Sequence, residues 1–194
     1  MSQALKEFMK KAIVTENVEP RLISSLSRTG RVYFQDDFEA YTASIGEKWK
    51  QSTGTVALDT AIPFRGKTCM KLTTGAVAGN YAVATKLLSI IPKGRLGLEW
   101  WWSAYNSLVA NVQCVRVSFY YYDGAVYYNC RVQWLGTNQL KWQYLNNAGN
   151  WIDIPNGSQD LYVETEKLWH HVKFAADILK GKYVRLISNE KEFD

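Results

Sequence analysis

The chain has 194 residues, a formal net charge of +5 and an aromatic content of 14%. This length suits one domain with a sizeable core and a short appendage. Most of the basic excess lies in residues 1–31, which carry six basic and three acidic side chains, so the charge is too weak to predict a nucleic-acid partner. No segment approaches the roughly 20 apolar residues of a membrane span, so none is predicted.

Residues 2–14 show the spacing of an amphipathic helix. Apolar side chains recur every three or four positions and form one stripe, Leu5, Phe8, Met9, Ala12 and Ile13. One short helix cannot bury such a stripe alone, so it packs on the body of the protein or on a partner. We therefore predict an assembly arm that uses Leu5, Phe8, Met9 and Ile13. The predicted domains are an arm with its connector at residues 1–31 and a β-sandwich at residues 32–194.

The same segment lacks the pattern of a secretory signal. Lys6, Glu7 and Lys10 interrupt the apolar positions, whereas a signal peptide needs an uninterrupted apolar core. We therefore expect synthesis in the cytoplasm. Three cysteines cannot all pair, and Cys114 and Cys130 fall on opposite faces of the hairpin described below. Free thiols in a reducing compartment are predicted.

From residue 32 onward, short apolar runs alternate with turn signals, which predicts strands. Outside the hairpin region, the predicted strands are residues 32–38, 56–59, 68–73, 81–88, 95–105, 151–154, 169–178 and 183–188. Strands of this length and spacing are typical of a jelly-roll sandwich. The predicted fold class is therefore all-β, an antiparallel jelly-roll β-sandwich with a short N-terminal amphipathic helix. We read Asn156-Gly157-Ser158 as a turn.

Residues 113–145 give the clearest strand signal. Apolar and polar side chains alternate on both sides of Asp123-Gly124, a dipeptide that favours a two-residue turn. Such a turn places Arg116 opposite Arg131, which is unfavourable unless an anion or a hydroxyl-rich ligand lies between them. A loop at residues 135–139 then leads to a third strand at residues 140–145. The alternation predicts that Val117, Phe119, Val132 and Trp134 face the core.

The polar side of these strands is the candidate ligand-binding face, for a glycan or for another protein. Its predicted members are Glu99, Trp101, Arg116, Ser118, Tyr120, Tyr127, Asn129, Arg131, Gln133, Lys141 and Gln143. Aromatic rings stack on the apolar faces of sugars, while amides, guanidinium groups and carboxylates bond to hydroxyl groups. Tyrosine, tryptophan and arginine are also enriched in protein interfaces. A plain solvated sheet carries similar residues, so the composition leaves three alternatives open.

Several segments resemble a known superfamily. They are residues 36–39 (Asp-Asp-Phe-Glu), Trp49, residues 64–72, residues 94–102 (Gly-Arg-Leu-Gly-Leu-Glu-Trp-Trp-Trp) and residues 169–174 (Trp-His-His-Val-Lys-Phe). Together they resemble strands of the concanavalin A-like lectin and glucanase (laminin-G-like) jelly-roll superfamily, over residues 32–194. The superfamily includes lectins, carbohydrate-binding modules, glycosidases, and adhesion or virion components, so the resemblance implies a fold more than an activity.

Two further expectations come from the resemblance. Sandwiches of this kind usually continue beyond a strand such as residues 183–188, so the stub at residues 192–194 predicts an open sheet edge that a neighbouring subunit or the arm covers. Some of these modules bind calcium near their first strand, and Asp36, Asp37 and Glu39 offer oxygen ligands there. A structural calcium is therefore the one cofactor considered.

Catalysis is not predicted. Glycoside hydrolysis needs two carboxylates across the scissile bond, and glucanases of the superfamily carry three acidic residues at alternate positions of one strand. Three tryptophans follow Glu99, and Glu164 and Glu166 lie in a loop-like stretch, so Glu99 with Asp177 is the one remaining pair. A nucleophile elbow, a phosphate-binding glycine loop and paired Cys-x-x-Cys motifs are absent from the sequence.

These observations predict a non-catalytic structural or recognition module that works within a larger assembly, with a phage-like virion surface as its setting. The expected partners are other protein subunits, in a homo-oligomer or a larger particle. The alternative is a glycan-binding, lectin-like module, and a polysaccharide hydrolase or lyase ranks third. Neither nucleic acid nor a membrane is an expected partner.

Overall fold

In a computed structural model, the chain is described at residues 34–41, 45–47, 49–75, 77, 79–88, 94–104, 114–136, 139–161 and 168–193. Regular structure in these residues consists of antiparallel β-strands and one 3-10 turn, Ile45–Glu47. The all-β prediction is confirmed. The predicted arm with Leu5, Phe8, Met9 and Ile13 lies outside the described residues, as does the predicted domain boundary at residues 31 and 32, so both stay predictions.

The described residues form two compact units, and the smaller one spans residues 34–88. It contains two antiparallel strand pairs, in which β1 (Lys50–Thr53) pairs with β4 (Val83–Thr85) and β2 (Thr55–Asp59) pairs with β3 (Cys69–Thr73). Gly54 joins β1 to β2 with a φ of +68°, and a Cβ atom there would lie 2.6 Å from Cβ of Ala82. Only glycine fits this junction without displacing its neighbour.

The larger unit spans residues 94–193 and contains two four-stranded sheets. The first sheet consists of β6 (Cys114–Tyr122), β7 (Tyr127–Leu135), β8 (Lys141–Leu145) and β9 (Trp151–Ser158), in that order. The second sheet consists of β5 (Arg95–Trp102), β10 (His170–Asp177), β11 (Lys182–Ser188) and β12 (Lys191–Phe193), in the order β12-β11-β10-β5. Every neighbouring pair is antiparallel.

The two sheets pack face to face because alternate side chains of each strand are apolar. Rings from the two sheets meet in the core, where Phe119 stacks on Phe174 at 5.2 Å and Trp102 lies 5.6 Å from Trp134. The buried cluster is Trp102, Cys130, Val132, Trp134, Trp142, Leu161, Val172, Phe174, Ala176, Leu186 and Phe193. The predicted inward direction of Val117, Phe119, Val132 and Trp134 is confirmed, and the larger unit is a β-sandwich.

One hydroxyl group links the two sheets. Tyr183, on β11, donates a hydrogen bond to the carbonyl of Leu145 at 2.6 Å and accepts one from the backbone N–H of Arg131 at 3.1 Å. The pairing of β7 with β8 stops one residue earlier, at Val132 and Tyr144. The hydroxyl therefore bridges the backbone groups of Arg131 and Leu145, where the next hydrogen bond between β7 and β8 would otherwise form. Burial raises the pKa of Tyr183, so the group stays protonated and keeps its donor.

The predicted register of the central hairpin is wrong by two residues. Tyr122 pairs with Tyr127 rather than with Ala125, and Arg116 pairs with Gln133 rather than with Arg131. The loop is longer because the Asp123 side chain accepts hydrogen bonds from the N–H groups of Ala125 and Val126, both at 2.8 Å. This local bonding competes with strand pairing. A shift of two residues keeps every side chain on its predicted face, so the predicted faces are correct.

Several strand predictions need correction. Residues 34–38 are not a strand, because Asp36 and Asp37 accept hydrogen bonds from the backbone two residues later, and Phe38 has a φ of +63°. The strand predicted at residues 81–88 shortens to β4, and β1 was not predicted. Residues 156–158 are not a turn but the end of β9, where the pairing with β8 shifts register and Asn156 has a φ of +54°.

The remaining strands agree with the predictions within a few residues. The last predicted strand and its stub appear as β11 and β12, and β12 is a three-residue edge strand that carries Lys191 and Glu192. Short, charged edges resist the addition of further strands. Cys69, Cys114 and Cys130 are free, which confirms that Cys114 and Cys130 are not bonded to each other.

A candidate ligand-binding face

The outer face of the first sheet carries an exposed strip of tyrosines at the hairpin end. Tyr122 and Tyr127 are directly paired across the strands, and their rings stack at 4.4 Å. Tyr120 lies one row further along, opposite Asn129. The exposed fractions of Tyr120, Tyr122 and Tyr127 are 61%, 50% and 76%. Three large rings on one face of a rigid sheet form a surface on which a flat apolar group can stack.

Further along the same face, beyond the pair of Ser118 with Arg131, polar side chains form one chain of hydrogen bonds across all four strands. Arg116 donates to Gln133 Oε1 through Nε at 3.1 Å and through Nη2 at 2.7 Å. Gln133 Nε2 donates to Gln143 Oε1 at 2.8 Å, and Gln143 Nε2 donates to Asp153 Oδ1 at 2.7 Å. Lys141 Nζ completes the chain at Asp153 Oδ2, at 2.8 Å. Each of the four strands thus contributes at least one hydrogen-bonding side chain to a common row, and β8 contributes two, Lys141 and Gln143.

The chain has a fixed direction. Arg116 at one end can only donate, and the carboxylate of Asp153 at the other end can only accept, so both intervening amides are held in one orientation. Gln133 is only 4% exposed although it lies on an outer face. A buried amide with both ends bonded is costly to disturb, which makes this row rigid.

Two arginines on this face are held in the same way. Arg116 lies over the ring of Trp151, with Cζ 4.8 Å from the ring centre, and bonds to the amide oxygen of Gln133. Arg131 lies over the ring of Tyr120, with Cζ at 5.1 Å, and donates from Nε to Asn129 Oδ1 at 2.9 Å. A ring and a neutral amide oxygen thus position each guanidinium group.

The nearby carboxylates are already bonded elsewhere. Hydrogen bonds from Gln143 and then Lys141 hold the pKa of Asp153 below its ordinary value. Backbone N–H groups of Val126 and Ala125 do the same for the pKa of Asp123. Both groups are therefore ionised at neutral pH. Their partners among the described residues are an amide, a lysine, backbone N–H groups and a tyrosine hydroxyl, and no arginine is among them.

The structure separates two of the predicted members from the rest. Glu99 and Trp101 are on β5 in the second sheet, whereas the other predicted members are on the first sheet. Their pairing with Lys173 and His171 puts them on that sheet's own outer face. There Glu99 Oε1 lies 3.0 Å from His171 Nε2, and Trp101 stacks on the His171 ring at 4.6 Å. The single face predicted from the sequence is thus two faces, because alternation gives a direction within a strand but not the sheet to which the strand belongs.

The structure also adds three residues to the face. Tyr122, Trp151 and Asp153 lie beside the predicted members. Trp151 and Asp153 alternate with Ile152 and Ile154, a period of two that was visible in the sequence. Their face follows once the tight turn Asn146–Asn150 fixes the pairing of β8 with β9, since Asn146 bonds to Asn150 N–H at 2.9 Å.

The acidic residues considered for calcium lie in the smaller unit. Asp36 accepts hydrogen bonds from Tyr41 and from Trp49 Nε1, the latter at 2.8 Å. Glu39 Oε1 accepts from the backbone N–H groups of Lys67 and Thr68, which lowers the pKa of Glu39. Among the described residues, no group of three or more His, Cys, Asp or Glu side chains has the arrangement of a metal site. Calcium binding by Asp36, Asp37 and Glu39 stays a prediction.

The one carboxylate pair considered for catalysis lies within the second sheet. Glu99 pairs with Lys173, and Asp177 lies four positions further along β10. At about 3.3 Å per residue, the two backbones are about 13 Å apart, and the carboxylates bind partners in opposite directions along β10, Glu99 at His171 and Asp177 at Lys180. This pair gives no support to glycoside hydrolysis.

Comparisons with known proteins gave no match, neither to a family model nor to a curated protein nor to a solved structure. The resemblance to the concanavalin A-like superfamily therefore stays a prediction. In the part of the chain that the structure describes, no helix is long and apolar enough to span a membrane.

Proposed function

We propose that this protein is a non-catalytic recognition module that binds a saccharide on the outer face of the first sheet. The observation that carries the proposal is the exposed strip of Tyr120, Tyr122 and Tyr127 beside a rigid row of hydrogen-bonding side chains. Rings supply the stacking surface for the apolar face of a sugar. The row supplies donors and acceptors at fixed positions for its hydroxyl groups.

Affinity at one such face is weak. A stacked aromatic contributes about 1 kcal/mol beyond its buried area, and the hydroxyl groups exchange bonds with water for bonds with protein at a small net gain. Several copies that bind one polymer gain avidity without new contacts. The proposal therefore includes a homo-oligomer or a larger particle as the working form, with no resident cofactor other than the calcium considered at Asp36, Asp37 and Glu39.

The finer fold assignment belongs to the same proposal. Two antiparallel four-stranded sheets around an apolar interior are an architecture shared by β-sandwiches in general, and the finer assignment to the concanavalin A-like jelly rolls is supported by the sequence segments that resemble them. The apolar stripe of residues 2–14 supports an N-terminal amphipathic helix that acts as an assembly arm.

In a second candidate function, the same face binds another protein instead of a saccharide. Val126, at the tip of the hairpin, is 52% exposed next to the tyrosine strip. Exposed apolar side chains with tyrosine and arginine around them are typical of protein interfaces. In this candidate the module is a structural subunit, for example on a virion surface, and the face contacts a neighbouring subunit.

A glycan array with matched tyrosine variants tests the first candidate. We expect the wild-type protein to bind a defined subset of glycans, and Tyr127→Ala and Tyr120→Ala to lose that binding. Tyr81→Ala is the control, because Tyr81 is 59% exposed but lies in the smaller unit. Array silence of the wild-type protein, or equal binding by all variants, contradicts the proposal.

Sedimentation tests the second candidate. If the face joins subunits, Tyr127→Ala and Val126→Asp shift the oligomer toward monomer, whereas Tyr81→Ala does not. An unchanged oligomeric state in both variants contradicts the subunit interface. If the wild-type protein also binds glycans, saccharide binding is the remaining candidate function.

A further inference from the structure

Among the described residues, the positive charges on the outer face of the first sheet are not all paired with carboxylates. The row ends in a lysine–carboxylate pair, because Lys141 Nζ lies 2.8 Å from Asp153 Oδ2. Arg116 and Arg131 have no such pair: among the described residues, neither guanidinium group lies within ion-pair distance of a carboxylate. Two positive charges on this face therefore have no carboxylate partner among the described residues.

The outer face of the second sheet contains an arginine that is paired with a carboxylate. Arg185 on β11 bonds to Glu192 on β12, with Nε 2.6 Å from Oε1. His171 lies against Glu99 on the same face. Arg185 thus has a carboxylate partner, whereas Arg95 on the same face forms no ion pair among the described residues.

Both unpaired arginines are nevertheless held in place. An arginine that is only solvated keeps most of its side-chain freedom, but Arg116 and Arg131 each bond to an amide oxygen and lie over a ring. The amides of Gln133 and Asn129 are neutral, so they orient the guanidinium groups without cancelling their charge. Nη1 of Arg116 and both Nη atoms of Arg131 have no hydrogen-bond partner in the described part of the chain.

The two arginines occupy neighbouring positions on one face, but their guanidinium groups extend in different directions, over Trp151 of β9 and over Tyr120 of β6, so an extended ligand is needed to contact both. Arg116 pairs with Gln133, so Arg131 is its diagonal neighbour on the adjacent strand, and diagonal neighbours have Cα atoms about 7–8 Å apart. Guanidinium groups with free terminal N–H donors match the geometry of carboxylate and sulfate oxygens. The tyrosine strip begins at Tyr120, the ring on which Arg131 lies.

We propose that the saccharide bound here is acidic and that Arg116 and Arg131 bind its carboxylate or sulfate groups while the tyrosines stack on its rings. This inference rests on the proposed function. The tyrosine strip and the hydrogen-bond acceptor Asp153 on the same face favour a saccharide over an acidic peptide, because the rings stack on sugar rings and the carboxylate accepts hydrogen bonds from sugar hydroxyls.

Matched polysaccharides and matched variants test this inference by calorimetry. The probes are polygalacturonate against its methyl ester for carboxylate, dextran sulfate against dextran for sulfate, and poly-glutamate for an acidic peptide. We expect one charged polysaccharide to bind at least about tenfold more tightly than its neutral counterpart, a difference that decreases as salt is added.

Asn129→Asp is the central variant. It keeps the side-chain shape and the bond to Arg131 but supplies a carboxylate, so affinity for the charged polysaccharide falls by about tenfold or more. Arg131→Gln has the same effect by removing the charge. Arg185→Gln, on the paired arginine of the other outer face, leaves affinity unchanged. Thermal unfolding of each variant confirms that it is folded.

The outcomes separate the two proposals. Equal binding of charged and neutral polysaccharides, equal binding of poly-glutamate, or unchanged affinity in both Asn129→Asp and Arg131→Gln overturns the acidic ligand but leaves saccharide binding intact. Absence of binding to every polysaccharide and on the glycan array overturns the proposed function itself.

Discussion

The first sheet has two faces that are ordered by different forces. On the inner face, Val132 and Trp134 of β7 are held by packing against the second sheet. On the outer face, Arg131 and Gln133 of the same strand are held by hydrogen bonds and ring contacts that run from strand to strand. Adjacent residues of one strand thus belong to a dry core and to a polar surface.

The difference indicates that side chains on the outer face can determine ligand specificity with little effect on the free energy of folding. Apolar packing is non-directional and contributes most of the free energy of folding. Directional bonds on the outer face add little net stability, but they fix the positions of charges and amides that a ligand can contact. Substitutions on the two faces should therefore separate stability from binding.

The largest expected effect is on the inner face. Trp134 is fully buried and donates from Nε1 to the carbonyl of Gln159 at 3.0 Å. We expect Trp134→Ala to lower the free energy of unfolding by about 3–5 kcal/mol, since it leaves a cavity and an unpaired carbonyl. Denaturant unfolding measures this loss. Tyr120→Ala is the matched aromatic control on the outer face and should change stability by less than about 0.5 kcal/mol.

The second effect is at the link between the sheets. Tyr183→Phe keeps the ring but removes the hydroxyl between Arg131 N–H and the Leu145 carbonyl. We expect a loss of about 1–3 kcal/mol in the free energy of unfolding, because two partly buried backbone groups lose their partner. Chemical denaturation checks it, with Tyr127→Phe as the exposed control. Equal stability of the two variants would mean that, without the hydroxyl, the backbones of β7 and β8 bond to each other directly at Arg131 and Leu145.

A smaller effect on stability is expected within the outer row. Gln133→Ala removes the acceptor of Arg116 and the donor to Gln143. Because Gln133 is buried, we expect a loss of about 1–2 kcal/mol, together with a clear loss of saccharide binding as Arg116 becomes free to move. Calorimetry and unfolding of the same sample compare the two effects. A stability loss in Gln133→Ala as large as that in Trp134→Ala would contradict the view that the inner face determines stability and the outer face determines binding.

The smallest expected effect is on the stability of the protein at acidic pH. The pKa of Asp123 is lowered in the folded protein by its backbone hydrogen bonds, so its contribution to stability is complete above the ordinary aspartate pKa of about 3.9 and is lost as the pH falls through the lower folded value. We expect wild-type stability to decline in that acidic range, and the decline to be shallower in Asp123→Asn, whose amide oxygen keeps the acceptor. Unfolding curves at several acidic pH values measure both slopes.

The larger unit was more predictable from the sequence than the smaller one. In β6 and β7, strict alternation determines which face each residue takes, and a two-residue error at Asp123 leaves those faces unchanged. In residues 34–41, Asp36 and Asp37 bond to the local backbone, and apolar composition alone does not reveal such bonds. The separation of Glu99 from Arg116 depends on strand order, which is a long-range property that periodicity does not contain.

The membership of the candidate face was largely predictable from the sequence, but the contacts among its members were not. Its members on β6, β7 and β8 follow from alternation, but the bond of Arg116 to Gln133 depends on register, which the turn sets. The expected pair of opposed arginines therefore becomes two separately anchored ones. Trp151 entered the face only through the pairing of β8 with β9.

The hydroxyl of Tyr183 has a consequence for measurement. Because the amide proton of Arg131 is bonded to a side chain of the opposite sheet, its exchange with deuterium requires the sandwich to open and not merely a strand end to fray. The amide of one ligand-facing arginine thus becomes a natural probe of the interior. Its protection factor should rise when a bound polymer clamps the outer surface, which would let a spectroscopist observe occupancy from inside the molecule.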